Sequence, residues 1–235
     1  MHNTSLKSAA TKGIIWSAVD KFAVQSGQFV VGVVLARILI PEDFGLIGML
    51  SVFIALSQTF IESGLGTGLI QRQERKDIDF STLFVFNLGV SLFLYVLLFF
   101  SAPLISSFFQ KPQLTDLTRV LGLTLLINSF AIVQQTKLTI EIDFKSIAKS
   151  NVIGMITGGF CGVIAALNGC GVWSLVIQSI AGAFASSVAL WFLSNWNPSV
   201  AFSKKSFNSL FGYGSKLLLA GLYAQTLNNV YNVCV

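Results

Sequence analysis

Charge is what this sequence has least of. Only 11% of its 235 residues are Asp, Glu, Lys or Arg, whereas 54% are hydrophobic. A soluble globular protein carries about 25% charged residues, which supply the polar coat of its surface. Because this chain has less than half of that charge, its composition excludes a soluble globular protein and predicts an integral membrane protein.

Histidine, cysteine and catalytic motifs are also scarce. The only histidine is His2, and the three cysteines lie in or beside apolar runs without metal-ligand spacing. The "GLGTG" of residues 64–68 resembles part of a phosphate loop, but no lysine–serine pair follows it. No paired carboxylates and no nucleophile–base pattern are visible. We therefore expect no catalytic residues, no metal site and no cofactor, and a protein that is not an enzyme.

Long apolar runs fill the rest of the chain, and a spanning helix needs about 20 such residues. We predict an all-α integral membrane protein, a polytopic bundle with six complete spans and a truncated seventh. Residues 1–200 are expected to form a first transmembrane lobe, and 201–235 a cytoplasmic loop and the start of a second lobe. Since the seventh span runs to the last residue, we expect an N-terminal fragment. The predicted spans are 14–36, 44–68, 82–109, 117–137, 148–167, 171–194 and one from near 210 to the end.

The basic residues predict the orientation of these spans. With the N-terminus in the cytoplasm, eleven of the 15 Lys and Arg residues fall in inside segments and three outside, while Lys21 lies within a span. An excess of Lys and Arg marks the cytoplasmic loops of membrane proteins. The charge distribution therefore indicates a cytoplasmic N-terminus, and it explains the net charge of +5 without a nucleic-acid partner.

The first span carries polar residues that predict a binding surface. At about 100° per residue, Ser17, Lys21, Gln25 and Gln28 share one stripe of a helix, with Asp20 at its edge. Charged groups at membrane depth cost about 2.5–3.5 kcal/mol on insertion scales, so they usually face a cavity or a partner. In the alternative interpretation, the hydrophobic core begins after this acid–base pair, which then lies among the cytoplasmic headgroups.

Two further charged residues complete the candidate set. Glu62 in "FIESGLGTG" either lines a cavity or lies near the end of the second span. Arg37 belongs to "LARILIPEDFG", residues 35–45, which we interpret as the outer turn between the first two spans. Proline and acids are favourable in the first turn of the following helix. The candidate substrate-cavity residues are Asp20, Lys21, Gln25, Gln28, Arg37 and Glu62.

Small residues are expected to serve packing. Gly154, Gly158 and Gly162 recur every four residues in the fifth span, and such a ridge lets two membrane helices approach closely.

Seven segments, in order along nearly the whole chain, resemble bacterial polysaccharide (O-antigen and exopolysaccharide) flippases. These belong to the multidrug/oligosaccharidyl-lipid/polysaccharide exporter superfamily. The segments are "LARILIPEDFGLIGML", "ESGLGTGLIQRQE", "FSTLFVFNLG", "APLISSFFQKPQL", "LTIEIDFKSIAKSNV", "GCGVWSLV" and "FGYGSKLLLAG".

The resemblance implies two similar lobes around a central cavity in the bacterial inner membrane. It further implies transport of undecaprenyl-diphosphate-linked oligosaccharide to the outer leaflet by alternating access. The expected partners are this lipid-linked oligosaccharide, membrane lipids, a coupling ion (proton or sodium) and the polysaccharide polymerase machinery.

Other functions stay open at this point. A multidrug or cation antiporter of the same superfamily and a non-transporting membrane scaffold are the alternatives. A polymerase or ligase acting on the same lipid-linked sugars ranks lower, because the predicted outer segments are only a few residues long.

Overall fold

A computed structural model describes residues 2–62, 65–72, 74–194, 196 and 201–212, with side chains from Lys12 onward. All regular structure in these ranges is helical, and none of it is strand. The first eight helices are α1 (His2–Ala36), α2 (Pro41–Glu62), α3 (Leu65–Gln71), α4 (Asp77–Phe109), α5 (Leu114–Leu121), α6 (Leu123–Ile140), α7 (Phe144–Leu167) and α8 (Trp173–Leu193). A ninth helix, α9, covers 204–212.

Six segments of the described residues are long and apolar enough to cross a membrane. Helices suit this environment because their backbone groups bond within the segment, where no water is available. These six segments confirm the predicted all-α polytopic fold. The predicted seventh span, beyond residue 212, lies outside the described residues. They are Lys12–Ala36, Pro41–Gln71, Asp77–Phe109, Leu114–Ile140, Phe144–Leu167 and Trp173–Leu193.

The breaks between spans follow local chemistry. Residues 37–40 form the predicted turn, after which Pro41 opens α2 with two acids in its first turn. Asp143 caps α7 by accepting a hydrogen bond from the backbone N–H of Ser146. Gly169 and Gly171 adopt φ of 77° and 53° between α7 and α8. This left-handed backbone favours glycine and forms the turn that was predicted there.

The chain divides into two compact units. The first comprises residues 1–44 and 134–196, and the second comprises 45–133 and 197–235. The division into a first lobe of 1–200 and a second lobe from 201 stays a prediction.

In the first unit, α7 and α8 pack through small residues. A Cβ at Gly158 would lie 2.6 Å from the Gln178 carbonyl oxygen and 3.0 Å from the Gly182 Cα. A Cβ at Gly154 would lie 2.8 Å from the Gly182 carbonyl oxygen, and one at Gly162 2.7 Å from the Gln178 Cβ. The predicted glycine ridge is therefore a site of close helix packing, as expected.

The same unit packs α1 against another face of α7. A Cβ at Gly27 would overlap the Met155 side chain, and one at Gly159 would lie 2.6 Å from Val31 Cγ2. Each helix therefore places a larger side chain against a glycine of the other. These two contacts fix which face of α1 meets α7.

In the second unit, a buried acid joins α3 to α4. Asp79 is 1% exposed. Its Oδ1 accepts from Arg72 Nη1 at 3.1 Å, and its Oδ2 accepts from the Lys76 backbone N–H at 3.0 Å. Arg75 donates to the carbonyl oxygens of Leu69 and Ile70 at the end of α3. The charged segment 72–79 thus satisfies the backbone groups at two helix ends.

Polar side chains also pair between helices of the second unit. Ser91 of α4 bonds Ser129 of α6 at 3.0 Å, and Asn128 donates to Gln58 of α2 at 3.5 Å. Such bonds contribute about 0.6–2 kcal/mol in membranes.

We expect Gly158→Ala to lower the thermal unfolding midpoint in detergent. The new methyl group meets backbone atoms that cannot rotate away, and overpacking of this kind costs about 1–3 kcal/mol. The matched control is Gly32→Ala on α1, where no atom lies within 4 Å of the added Cβ. This control should leave the midpoint unchanged or raise it, since alanine favours a helix. Equal midpoints for the two variants would contradict the packing described for α7 and α8.

Replacing Asp79 by Ala should destabilise the second unit by about 2 kcal/mol. The change removes a helix cap and a charge-assisted hydrogen bond from Arg72. Asp77→Ala is the control, because Asp77 is exposed in the same helical turn. Unfolding midpoints of the two variants in one detergent measure the difference. A loss no larger for Asp79→Ala than for Asp77→Ala would refute the role of the buried carboxylate.

Candidate functional site

The polar stripe of α1 is largely uncovered. Lys21, Gln25 and Gln28 are exposed and Ser17 is half-buried. Only 6% of the most apolar stretch of this span is buried, against 22–44% in the other five. Among the described spans, α1 is therefore the least covered, and its polar stripe is open.

The orientation of this stripe follows from the contact with α7. One face of α1 meets α7 and the segment leading into it. The residues on this face are Gly13, Asp20, Gly27 and Val31. At about 100° per residue, this face lies about 90° around the helix from the stripe. The packing contact and the polar stripe therefore do not compete for the same surface.

A groove of about 580 Å³ lies beside Lys21 in the first unit. Lys21, Ser17 and Thr139 are its polar lining residues, and the Thr139 hydroxyl donates to the Gln135 carbonyl oxygen at 2.8 Å. The remaining wall is apolar. The remaining lining residues are Gly13, Ile14, Ala18, Ile142 and Phe144. A cation in an apolar groove suits an anionic group that is attached to a hydrocarbon chain.

Asp20 has a different environment from Lys21. The Asp20 side chain is half-buried, and its Oδ2 accepts a hydrogen bond from Asn151 Nδ2 at 3.0 Å. Its Oδ1 is buried and has no hydrogen-bond partner among the described residues. The carboxylate thus joins α1 to α7 and retains one free acceptor.

A second groove, of about 270 Å³, has Asp20 in its lining. Trp16, Lys149 and Val152 also line it, and the Lys145 ammonium lies 5.6 Å from the centroid of the Trp16 ring. Lysines of α7 therefore extend the positive charge around the predicted cytoplasmic end of α1.

The structure does not bring Arg37 to Lys21. Arg37 is exposed just beyond the end of α1, about 24 Å along the helix axis from Lys21. Glu62 is exposed in the second unit, where Gln58 Nε2 donates to its Oε1 at 3.3 Å. Gln25 and Gln28 lie on the side of Lys21 away from the groove lining, one and two turns further along α1.

Three polar residues near Lys21 and Asp20 were absent from the sequence-based set. Thr139 lines the first groove, Lys149 lines the second, and Asn151 bonds Asp20. Asn151 is 131 positions from Asp20, so helical periodicity within α1 gives no sign of their contact. The available signal was the polar segment "KLTIEIDFKSIAKSN", 137–151, which joins the predicted fourth span to the first turn of the predicted fifth.

Comparison with known proteins gives consistent matches. A family model described as polysaccharide biosynthesis protein matches residues 34–235. The lipopolysaccharide biosynthesis protein WzxC of Escherichia coli (strain K12) is 27% identical over 78% of the chain and 36% of its own length. The succinoglycan biosynthesis transport protein ExoT of Rhizobium meliloti (strain 1021) is 26% identical over 82% and 39%. The teichuronic acid biosynthesis protein TuaB of Bacillus subtilis (strain 168) is 24% identical over 90% and 44%.

The matches cover most of this chain but less than half of each of these relatives. No solved structure gives a significant match. The spanning helices and these relatives make the chain a multi-pass protein of the bacterial inner (plasma) membrane. The chain belongs to the polysaccharide biosynthesis protein family, which confirms the polysaccharide flippase family expected from its sequence.

Proposed function

We propose that this chain forms part of a flippase for lipid-linked oligosaccharides. Its substrate would be an undecaprenyl-diphosphate-linked oligosaccharide that moves from the cytoplasmic to the outer leaflet of the inner membrane. The single observation that carries the proposal is the uncovered polar stripe of α1, with Lys21 at an apolar groove. The printed roles of the relatives in polysaccharide biosynthesis and transport support the same function.

The chemistry of the groove fits such a substrate. The diphosphate is anionic and cannot cross hydrocarbon unaided, so a fixed cation must offset its charge. Lys21 would supply that cation, and the Ser17 hydroxyl would donate a hydrogen bond to a phosphate oxygen. The apolar walls of the groove would accept the first part of the lipid chain.

The rest of the stripe supplies a route for the sugar head. Ser17 to Gln28 spans about 16 Å along α1, roughly half the thickness of the hydrocarbon core. The amides of Gln25 and Gln28 can donate to and accept from sugar hydroxyls. Alternating access between this surface and a second lobe would carry the head across while the lipid chain remains in the bilayer.

Asp20 is our candidate for the coupling residue. Its carboxylate adjoins Lys21 in sequence, faces α7 and keeps one buried oxygen without a partner among the described residues. A proton or a sodium ion bound there would change the charge beside the groove. We further propose that the polysaccharide polymerase machinery receives the translocated unit.

Substituting Lys21 by Gln in the full-length protein should lower flipping about 10–100-fold. A charge-assisted hydrogen bond contributes about 1.5–3 kcal/mol, and Gln removes the cation but keeps a polar side chain. The measurement is the amount of lipid-linked oligosaccharide in a deletion strain complemented by each variant, with surface polymer scored in parallel. Lys21→Arg should retain part of the activity.

Lys12→Gln is the matched control, because Lys12 is an exposed lysine of the same helix outside the groove. Normal polymer export by Lys21→Gln at normal protein levels would refute the role of this lysine. Unchanged lipid-linked pools in the deletion strain itself would refute the flippase function.

Asp20→Asn should preserve folding but abolish ion coupling. Asn keeps an oxygen that accepts from Asn151, whereas it cannot bind a proton or hold a cation by charge. In proteoliposomes containing the full-length protein, transport of a labelled lipid-diphosphate sugar would be measured with and without a proton or sodium gradient. The wild type should respond to one of the gradients, and the variant should respond to neither. A variant that keeps the full response would exclude Asp20 as the carrier.

A further inference from the structure

Helix α9 docks on the first turns of α4 in the second unit. The backbone N–H of Ser203 donates to Thr82 Oγ1 at 3.1 Å, and the rings of Phe207 and Phe86 lie 5.1 Å apart. Leu210 is 3% exposed on the same side of α9. One face of this short helix is therefore held by α4.

The docking position corresponds to a defined depth in the membrane. Helix α4 has 33 residues and a length of about 50 Å, whereas the hydrocarbon core is about 30 Å thick. If α4 crosses the core symmetrically, about 10 Å of helix extends beyond it at each end. Thr82 and Phe86 lie about 8 and 14 Å from the start of α4, so α9 rests where the headgroups meet the acyl chains.

The surface that α9 leaves free combines aromatic rings with positive charge. Phe202, just before α9, is 53% exposed and Phe211 is 43% exposed, and each ring also contacts Phe207, with centroids 5.8 and 5.2 Å apart. Lys204 and Lys205 are both exposed. No acidic residue occurs between 201 and 212. Exposed aromatic rings beside lysines are the features by which interfacial helices bind anionic bilayers.

We propose that α9 is an interfacial helix that binds anionic phospholipids on the side of the membrane where α4 begins. Phe202 and Phe211 enter the boundary of the acyl chains, and Lys204 and Lys205 pair with headgroup phosphates. The positive-inside distribution assigns this side to the cytoplasm, whose leaflet carries the negative surface potential. This lipid contact is independent of the flippase function and of Lys21.

Hydrogen exchange of the full chain in nanodiscs tests the proposal. Nanodiscs of phosphatidylcholine alone are compared with nanodiscs in which phosphatidylglycerol replaces part of that lipid. A lysine near an anionic surface strengthens binding roughly fivefold, so the pair provides up to about 30-fold. Backbone amides of 204–212 should exchange more slowly in the anionic discs by up to that factor. The difference should disappear in the double variant Lys204→Gln/Lys205→Gln.

Two controls separate lipid binding from other causes. Lys12→Gln/Lys149→Gln removes the same charge from exposed lysines of the first unit, and it should keep the lipid dependence of 204–212. Thr82→Val removes the acceptor for the Ser203 N–H and should accelerate exchange in both lipids. Equal exchange in the two lipids would overturn the proposal, because the helix would then be covered by protein or by nothing. A lipid dependence that survives the Lys204/Lys205 change would overturn it as well.

Discussion

The rotation of α1 against α7 is the constraint on which the candidate site depends. Met155 lies over Gly27, and Val31 lies over Gly159, so each helix has a bulky group where the other has none. Turning α1 by one residue would place a side chain where only a hydrogen atom fits. Because this contact fixes the rotation, the stripe with Lys21 lies about 90° around α1 from the α7 contact and remains largely uncovered.

The glycines of α7 allow it to pack closely against two neighbouring helices. One face, with Gly154, Gly158 and Gly162, approaches α8 at backbone distance, while Gly159 receives Val31 of α1. Van der Waals packing drives such association in lipid, where no hydrophobic force acts between helices. Close packing on two faces makes α7 a fixed support, and Asn151 on it therefore holds the Asp20 carboxylate at a defined position.

The spans could be predicted from sequence because hydrocarbon imposes one simple rule on them. Charged or turn-forming segments interrupt the apolar runs, and the six predicted spans all correspond to observed ones. The errors lie at the ends, where residues in the headgroup region are helical without being apolar. The third span begins at Asp77 instead of residue 82. The Asp79 carboxylate caps the helix there, so the helix begins before the apolar run does. The fourth span also changes at Gly122 from α5 to α6, which hydropathy does not register.

The candidate site could be predicted only in part, for a related reason. Periodicity within one helix is a local property, so it placed Lys21, Gln25 and Gln28 on one stripe and Asp20 at its edge. Which neighbour covers that edge is a long-range property, and it distinguishes the two adjacent charges. Asp20 faces α7 and has a protein partner in Asn151, whereas Lys21 faces an open groove.

This difference bears on the proposed function. An ion pair between neighbours would neutralise both charges, and neither would be available to a substrate. Because Asn151 holds the carboxylate on the α7 side of α1, the ammonium group on the groove side stays available to an anion. A proton or cation on Asp20 would then raise the positive potential at the groove without contacting the substrate. Under the proposed function, electrostatic interaction across adjacent faces of one helix would carry this change from Asp20 to the groove, and burial of the Asp20 carboxylate would strengthen it.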